Sequence, residues 1–168
     1  MRTAVSCCVV MMLCAMVSAT PAQNMPASFS VSISTDQANA KLGDPLVLAI
    51  DLKNLSNSTF HFRHTGTDQA ETIFDIEMRD SLGNVAPFTR YCKALKGIDQ
   101  GPGPTLVLTH SIGYASVEPQ QSFKVTSDLS KCFDMHPGVY SVQASFIDAT
   151  SNKTKTVISN KIALTIIK

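Results

Sequence analysis

The sequence predicts an all-β chain folded as an antiparallel sandwich of about seven to nine strands held by one disulfide. Apolar residues alternate with polar ones at period two in run after run, with turn residues between the runs. No window of about 11 residues carries a helical stripe. Once an N-terminal leader is set aside, Cys92 and Cys132 are the cysteines that remain, and an even pair in an exported chain reads as a disulfide.

The leader comes first. Met1 and Arg2 make a short positive start, and residues 4–17 are uncharged and apolar, about the length of a signal-peptide core. The run is too short for a bilayer, which needs about 20 apolar residues. Small residues follow, so 1–22 reads as a signal peptide cleaved after Ala19 or Ala22, leaving 23–168 as one domain in the periplasm or outside the cell. Cleavage removes Cys7, Cys8, Cys14 and Arg2; the basic residues, 14 in the full chain, then balance the 13 acidic ones. A neutral chain offers no field for gathering nucleic acid or an anionic membrane. At 44% hydrophobic and 16% charged residues it has material for a core and is no disordered tail.

Phe29, Val31 and Ile33 alternate with Ser30, Ser32 and Ser34 in a first strand. After the turn 41–45, Leu46, Leu48, Ile50 and Leu52 point one way, with Val47, Ala49 and Asp51 opposite, until 54–58 breaks the pattern. Phe60 and Phe62 mark a third strand; Phe74, Ile76 and Met78 mark a fourth, with Asp75, Glu77 and Arg79 on its wet side. The turn 80–84 predicts that 85–91 returns as a hairpin partner. Residues 92–105, with three Gly and two Pro, predict an irregular loop. Further strands are expected over 106–112, 122–126, 139–147, 154–158 and 161–167.

Tyr140 stands two residues after Pro137-Gly138 and opens a strand whose Tyr140, Val142, Ala144 and Phe146 share a face. That placement predicts a tyrosine corner, in which the phenol finds a backbone partner in the preceding loop. The disulfide Cys92–Cys132 would close a loop of about 40 residues, for which chain entropy gives roughly 4 kcal/mol.

The stretches 43–54 (GDPLVLAIDLKN), 74–84 (FDIEMRDSLGN) and 137–142 (PGVYSV) resemble the immunoglobulin-like sandwich of bacterial BsuPI-type proteinase inhibitors and related exported proteins. The resemblance implies an immunoglobulin-like fold and, as an alternative function, proteinase inhibition. The chain departs from that pattern after Asn84, where Val85-Ala86-Pro87-Phe88 stands in place of an aromatic, Trp-containing strand.

The motifs of the common chemistries are missing. There is no Gly-x-Ser-x-Gly elbow, no phosphate loop and no His-Glu-x-x-His helix, so no catalytic, cofactor or metal residue is assigned. His61 and His64, three apart in a strand, face opposite ways; His110 and His136 are isolated. Asp36, Asp44, Asp80, Asp99, Asp128 and Asp134 sit at strand ends or in loops, where aspartate caps turns, and no calcium-loop spacing joins them. Asn54, Asn57 and Asn152 begin glycosylation sequons that read as polar turns in a bacterial setting.

The expected function is therefore an exported, non-catalytic module that binds another protein or serves a structural role. A metal site or enzyme assembled from distant loops is a further alternative. The candidate contact surface is the long loop after Cys92, with Lys93, Leu95, Lys96 and Ile98; the competing reading has Leu95 and Ile98 merely cover the end of the sandwich. The last strand, with Ile162, Leu164 and Ile166 on one face, is a candidate for strand addition at an open edge or simply completes its own sheet.

Overall fold

The computed structural model describes residues 28–65, 70–98, 100–108, 112–148 and 154–168. The leader with its cleavage positions, Asp99, His110 and Asn152 lie outside the described residues. The fold is all-β, with ten strands among the described residues. One sheet runs β1 (Phe29–Ser34), β3 (Val47–Asn54), β7 (Ser122–Asp128). The other runs β2 (Asn39–Lys41), β10 (Ile162–Ile167), β8 (Gly138–Asp148), β5 (Asp75–Asp80), with β9 (Lys155–Ile158) also paired to β8. β4 (Phe60–Thr65) and β6 (Ile112–Val117) form a separate antiparallel ribbon.

Alternation decides which side chains enter the core. Phe29, Val31 and Ile33 of β1, Leu48, Ile50 and Leu52 of β3, and Val125 of β7 are buried against Ile76 and Met78 of β5, Tyr140, Val142, Ala144 and Phe146 of β8, and Leu164 and Ile166 of β10. The Phe29 ring meets Phe60 of the ribbon at 4.5 Å and Phe146 at 5.5 Å, joining all three sheets.

The count exceeds the expected seven to nine because continuous runs are interrupted. Two residues of β8 (143 and 144) face three (159–161) between β9 and β10, which is a bulge in one long strand. Ser159 fills the gap, its hydroxyl accepting from Ala144 N at 2.9 Å. Asn160 is freed to reach β1, accepting from Ile33 N at 2.8 Å and donating to Ile33 O at 3.0 Å. At the start of the chain, β1 and β2 belong to different sheets, and β2 pairs in parallel with β10.

A second interruption separates β3 from β4 and β6 from β7. Asn54, fully buried, donates from Nδ2 to Ser58 O at 2.8 Å and Val117 O at 2.9 Å, and its Oδ1 accepts from Ser56 N. Gln120, opposite, takes φ +63 and donates its N–H to Asn54 O. The ribbon leaves the sheet at this hinge.

Three expectations are corrected. Residues 85–91 form no return strand: pairing stops after the Arg79–Val85 bridge and the Ala86 N to Met78 O bond, because Pro87 has no N–H and Thr89 starts a helix. Residues 106–108 are not in a strand, and among the described residues the next strand runs Ile112–Val117. β10 is no open edge, since β2 and β8 flank it.

Candidate functional site

The end of the sandwich beyond β5 is built from two short helices. In α1 (Arg90–Leu95) Thr89 is the N-cap, its Oγ1 accepting from Cys92 N at 3.2 Å, while its hydroxyl donates to Lys131 O. In α2 (Leu129–Cys132) Asp128 is the N-cap: its Oδ1 accepts from Ser130 N at 3.1 Å, and also from Leu46 N, just before β3, at 3.2 Å. The disulfide Cys92–Cys132 joins the helices, with both cysteines fully buried and their Cα atoms 4.7 Å apart. Around it, Phe88 and Phe133 bridge with rings at 5.3 Å, and Asp134 N donates to Pro87 O at 2.8 Å.

The chain leaves α1 through Gly97 at φ +66. Its N–H bonds Ala94 O and that of Ile98 bonds Lys93 O, a Schellman termination for which glycine lacks the Cβ penalty. This places the four expected contact residues differently. Leu95 is buried and covers the sandwich end; Ile98 is 45% exposed. Lys93 is half-buried in the last helical turn. Lys96 lies 3.2 Å from Asp75 and 5.3 Å from the Phe88 ring centroid.

Below α1 lies a cleft of about 500 Å3 lined by Glu71, Asp75, Phe88, Leu95, Lys96 and Ile98. Its charges are already engaged: Lys96 with Asp75, and Glu71 as acceptor for the Ser127 hydroxyl. The loop beyond the cleft is clamped at two points. Arg90 donates to Pro104 O and lies over Gly103, where an added Cβ would stand 3.0 Å from the guanidinium. Gln100 grips Leu106 twice, donating to its carbonyl at 3.0 Å and accepting from its N–H at 2.8 Å. Past these clamps the chain presents Leu106, 43% exposed, and Val107, 86% exposed.

Sequence reasoning missed Arg90, Gln100, Leu106 and Val107 as parts of this surface. It read 106–112 as a strand because apolar residues dominate there. The Gly-Pro-Gly-Pro run at 101–104 was the available signal that the following residues leave the sheet.

Tyr140 is nearly buried; its hydroxyl donates to His136 O at 3.1 Å and accepts from His136 N at 3.0 Å, beside Pro137 and Gly138. His61 Nδ1 lies 2.7 Å from Ser116 Oγ, whereas His64 on the other ribbon face sits over Gly113. Among the described residues no group of three or more His, Cys, Asp or Glu side chains is placed to hold a metal ion, and no helix is long and apolar enough to cross a membrane.

No protein-family model and no curated protein matches this chain. Among solved structures, a β-glucosidase, EmGH1, from Erythrobacter marinus is 13% identical, with 83% of this chain and 15% of that chain covered and a TM-score of 0.42. Alkylpurine DNA glycosylase AlkC of Pseudomonas fluorescens is 10% identical, covering 84% and 32%, with a TM-score of 0.40. A β-glucosidase from Listeria innocua in complex with isofagomine is 10% identical, covering 82% and 16%, with a TM-score of 0.39. This chain spans less than a third of each of these proteins, and likeness at this level carries nothing about its chemistry.

Proposed function

We propose that the protein is an exported, non-catalytic binding module that contacts another protein through the clamped loop at its disulfide end. The observation that carries this reading is the exposure of Leu106 and Val107 on a segment held by Arg90 and Gln100. An apolar side chain on a mobile loop loses entropy when it binds; a loop already fixed by its own hydrogen bonds loses less, so exposed apolar area there contributes more to affinity. The internally engaged charges of the neighbouring cleft favour recognition over acid–base chemistry. Export rests on the leader and agrees with a buried disulfide.

The test is capture of a partner from the exporting cell's envelope by the oxidised chain, set against Val107→Glu. The reading expects the variant to melt like the parent and lose at least roughly tenfold in capture; equal capture by both proteins would remove the loop from the contact. N-terminal sequencing of the chain recovered outside the cytosol should begin at Thr20 or Gln23.

Proteinase inhibition is a second reading, favoured by the same feature: a clamped segment that exposes apolar side chains can be offered to a protease cleft. A panel of serine, cysteine and metalloproteases running at full rate with excess protein would eliminate it.

A further inference from the structure

The bend between β3 and β4 is tied by side chains at both shoulders and left free at its tip. Ser56 N donates to Asn54 Oδ1 at 2.9 Å, and Ser58 O accepts from Asn54 Nδ2 at 2.8 Å. The Ser56 hydroxyl stands between these groups, 2.7 Å from Asn54 Oδ1 and 2.9 Å from Ser58 O. Asn57 lies between the ties: it is exposed, and its side chain bonds to none of the described residues. Ser58, which follows it, is also exposed, and its N–H meets the Ser56 hydroxyl at a long 3.3 Å.

The other described asparagines are held. Asn54 is fully buried, with both ends of its amide engaged. Asn84 Nδ2 donates to Asp80 Oδ2 at 3.0 Å, and the β-branched Val85 crowds the next backbone nitrogen. Asn160 spends both amide atoms on Ile33. Asn39 lies within β2, in register with Thr165 of β10.

We propose that Asn57 is a site of spontaneous covalent modification, converting in water to aspartate and isoaspartate. The Ser58 backbone nitrogen, its proton taken by hydroxide, attacks Asn57 Cγ; the new C–N bond closes a five-membered succinimide, and the side-chain nitrogen takes up a proton and leaves as ammonia. Water then opens the ring at one of its two carbonyl carbons. Opening at Cγ restores an ordinary main chain with aspartate at 57, whereas opening at the backbone carbonyl routes the main chain through the side chain as isoaspartate. One water is consumed, one ammonia is released, and nothing is oxidised or reduced. Ring closure is intramolecular, so placement of the two groups sets its rate. A free side chain on a bend can rotate onto the next nitrogen; an amide bonded at both ends or a residue in a paired strand cannot. Ser58 is not branched at Cβ by carbon, which leaves the approach open. Isoaspartate inserts one more carbon, ~1.5 Å, into the main chain between the two ties and so shifts Ser58 O against Asn54 Nδ2. The site lies at the hinge of the ribbon, apart from the loop of the proposed function, and does not depend on it.

The test is to hold the purified oxidised protein at body temperature and mildly alkaline pH for weeks, and to map its peptides by mass. Asn57 should gain one mass unit before any other described asparagine, and protein isoaspartate methyltransferase with S-adenosylmethionine should label the same peptide. Conversion should speed up as pH rises, because the attacking nitrogen is the deprotonated form. Ser58→Val crowds that nitrogen while keeping the carbonyl that Asn54 holds, and should slow conversion at least roughly tenfold. Asn57→Gln, whose ring would have six members, should remove the label from this peptide. In urea the isoaspartyl chain, separated by chromatography, should unfold at a lower midpoint than Asn57→Asp, which carries the same charge on an ordinary main chain. An unchanged Asn57, earlier conversion at another described asparagine, conversion of Ser58→Val at the parent rate, or equal midpoints for the isoaspartyl chain and Asn57→Asp would overturn the proposal.

Discussion

A single hydroxyl shows how much one polar group decides in a buried setting. Tyr140 satisfies both polar groups of the His136 backbone and is itself satisfied by them, so Tyr140→Phe removes two part-buried bonds. We expect a loss of about 1 kcal/mol or slightly more, measured by urea unfolding; unchanged stability would mean that water replaces the phenol at no cost. Asp80 makes the corresponding electrostatic case. Its carboxylate accepts from the Asn84 side chain at 3.0 Å and from the N–H groups of Asn84 and Leu82, and these bonds, the Asn84 side chain foremost, hold its pKa below the usual aspartate value. A carboxyl with a depressed folded-state pKa stabilises the fold above the unfolded value of about 4, and that contribution fades as pH falls through the folded value. The unfolding midpoints of the parent and Asp80→Asn should therefore differ at neutral pH and converge in acid. Glu77, whose pKa Arg79 lowers through a side-chain bond, acts with the same sign.

Interruptions of strands matter more at the level of elements than the strands themselves. Asn54 stands where β3 gives way to the ribbon, and its amide does what backbone pairing cannot do there. Asn54→Ala should cost roughly 1–3 kcal/mol, because the Val117 carbonyl loses its buried donor and the Ser58 carbonyl keeps only the Ser56 hydroxyl. Asn54→Asp should cost nearly as much, since a carboxylate cannot donate to them; recovery of full stability by Asp would show that the donor is dispensable. The hinge was invisible to periodicity, which reads 54–58 only as a polar turn. The bulge at 159–161 was missed in the same way, since alternation resumes on either side of it and the unpaired residue carries no compositional mark.

For the molecule as a whole, the disulfide ties α1, between β5 and β6, to α2, just before β8, across 40 residues. Paired Cys92→Ala and Cys132→Ala substitutions, or reduction, should lower stability by about 4 kcal/mol on the chain-entropy estimate, a large part of the ~5–15 kcal/mol of an ordinary domain. Urea unfolding of oxidised and reduced protein measures the difference directly. The loss should fall first on the α1–α2 end, where Thr89, Phe88 and Pro87 also meet the 131–134 segment, and hydrogen exchange would locate it.

The β class, the inward faces of β1, β3, β5 and β8, the cysteine pair and the placement of Tyr140 were all legible in the sequence. Each depends on local chemistry: a period of two, a turn residue, or the presence of two thiols. The clamped loop, the hinge at Asn54 and the sheet change between β1 and β2 required the tertiary structure. They depend on contacts between positions far apart in the chain, such as Asn54 with Val117, or Asn160 with Ile33. Which polar group finds which partner is settled only when the chain brings those distant segments together.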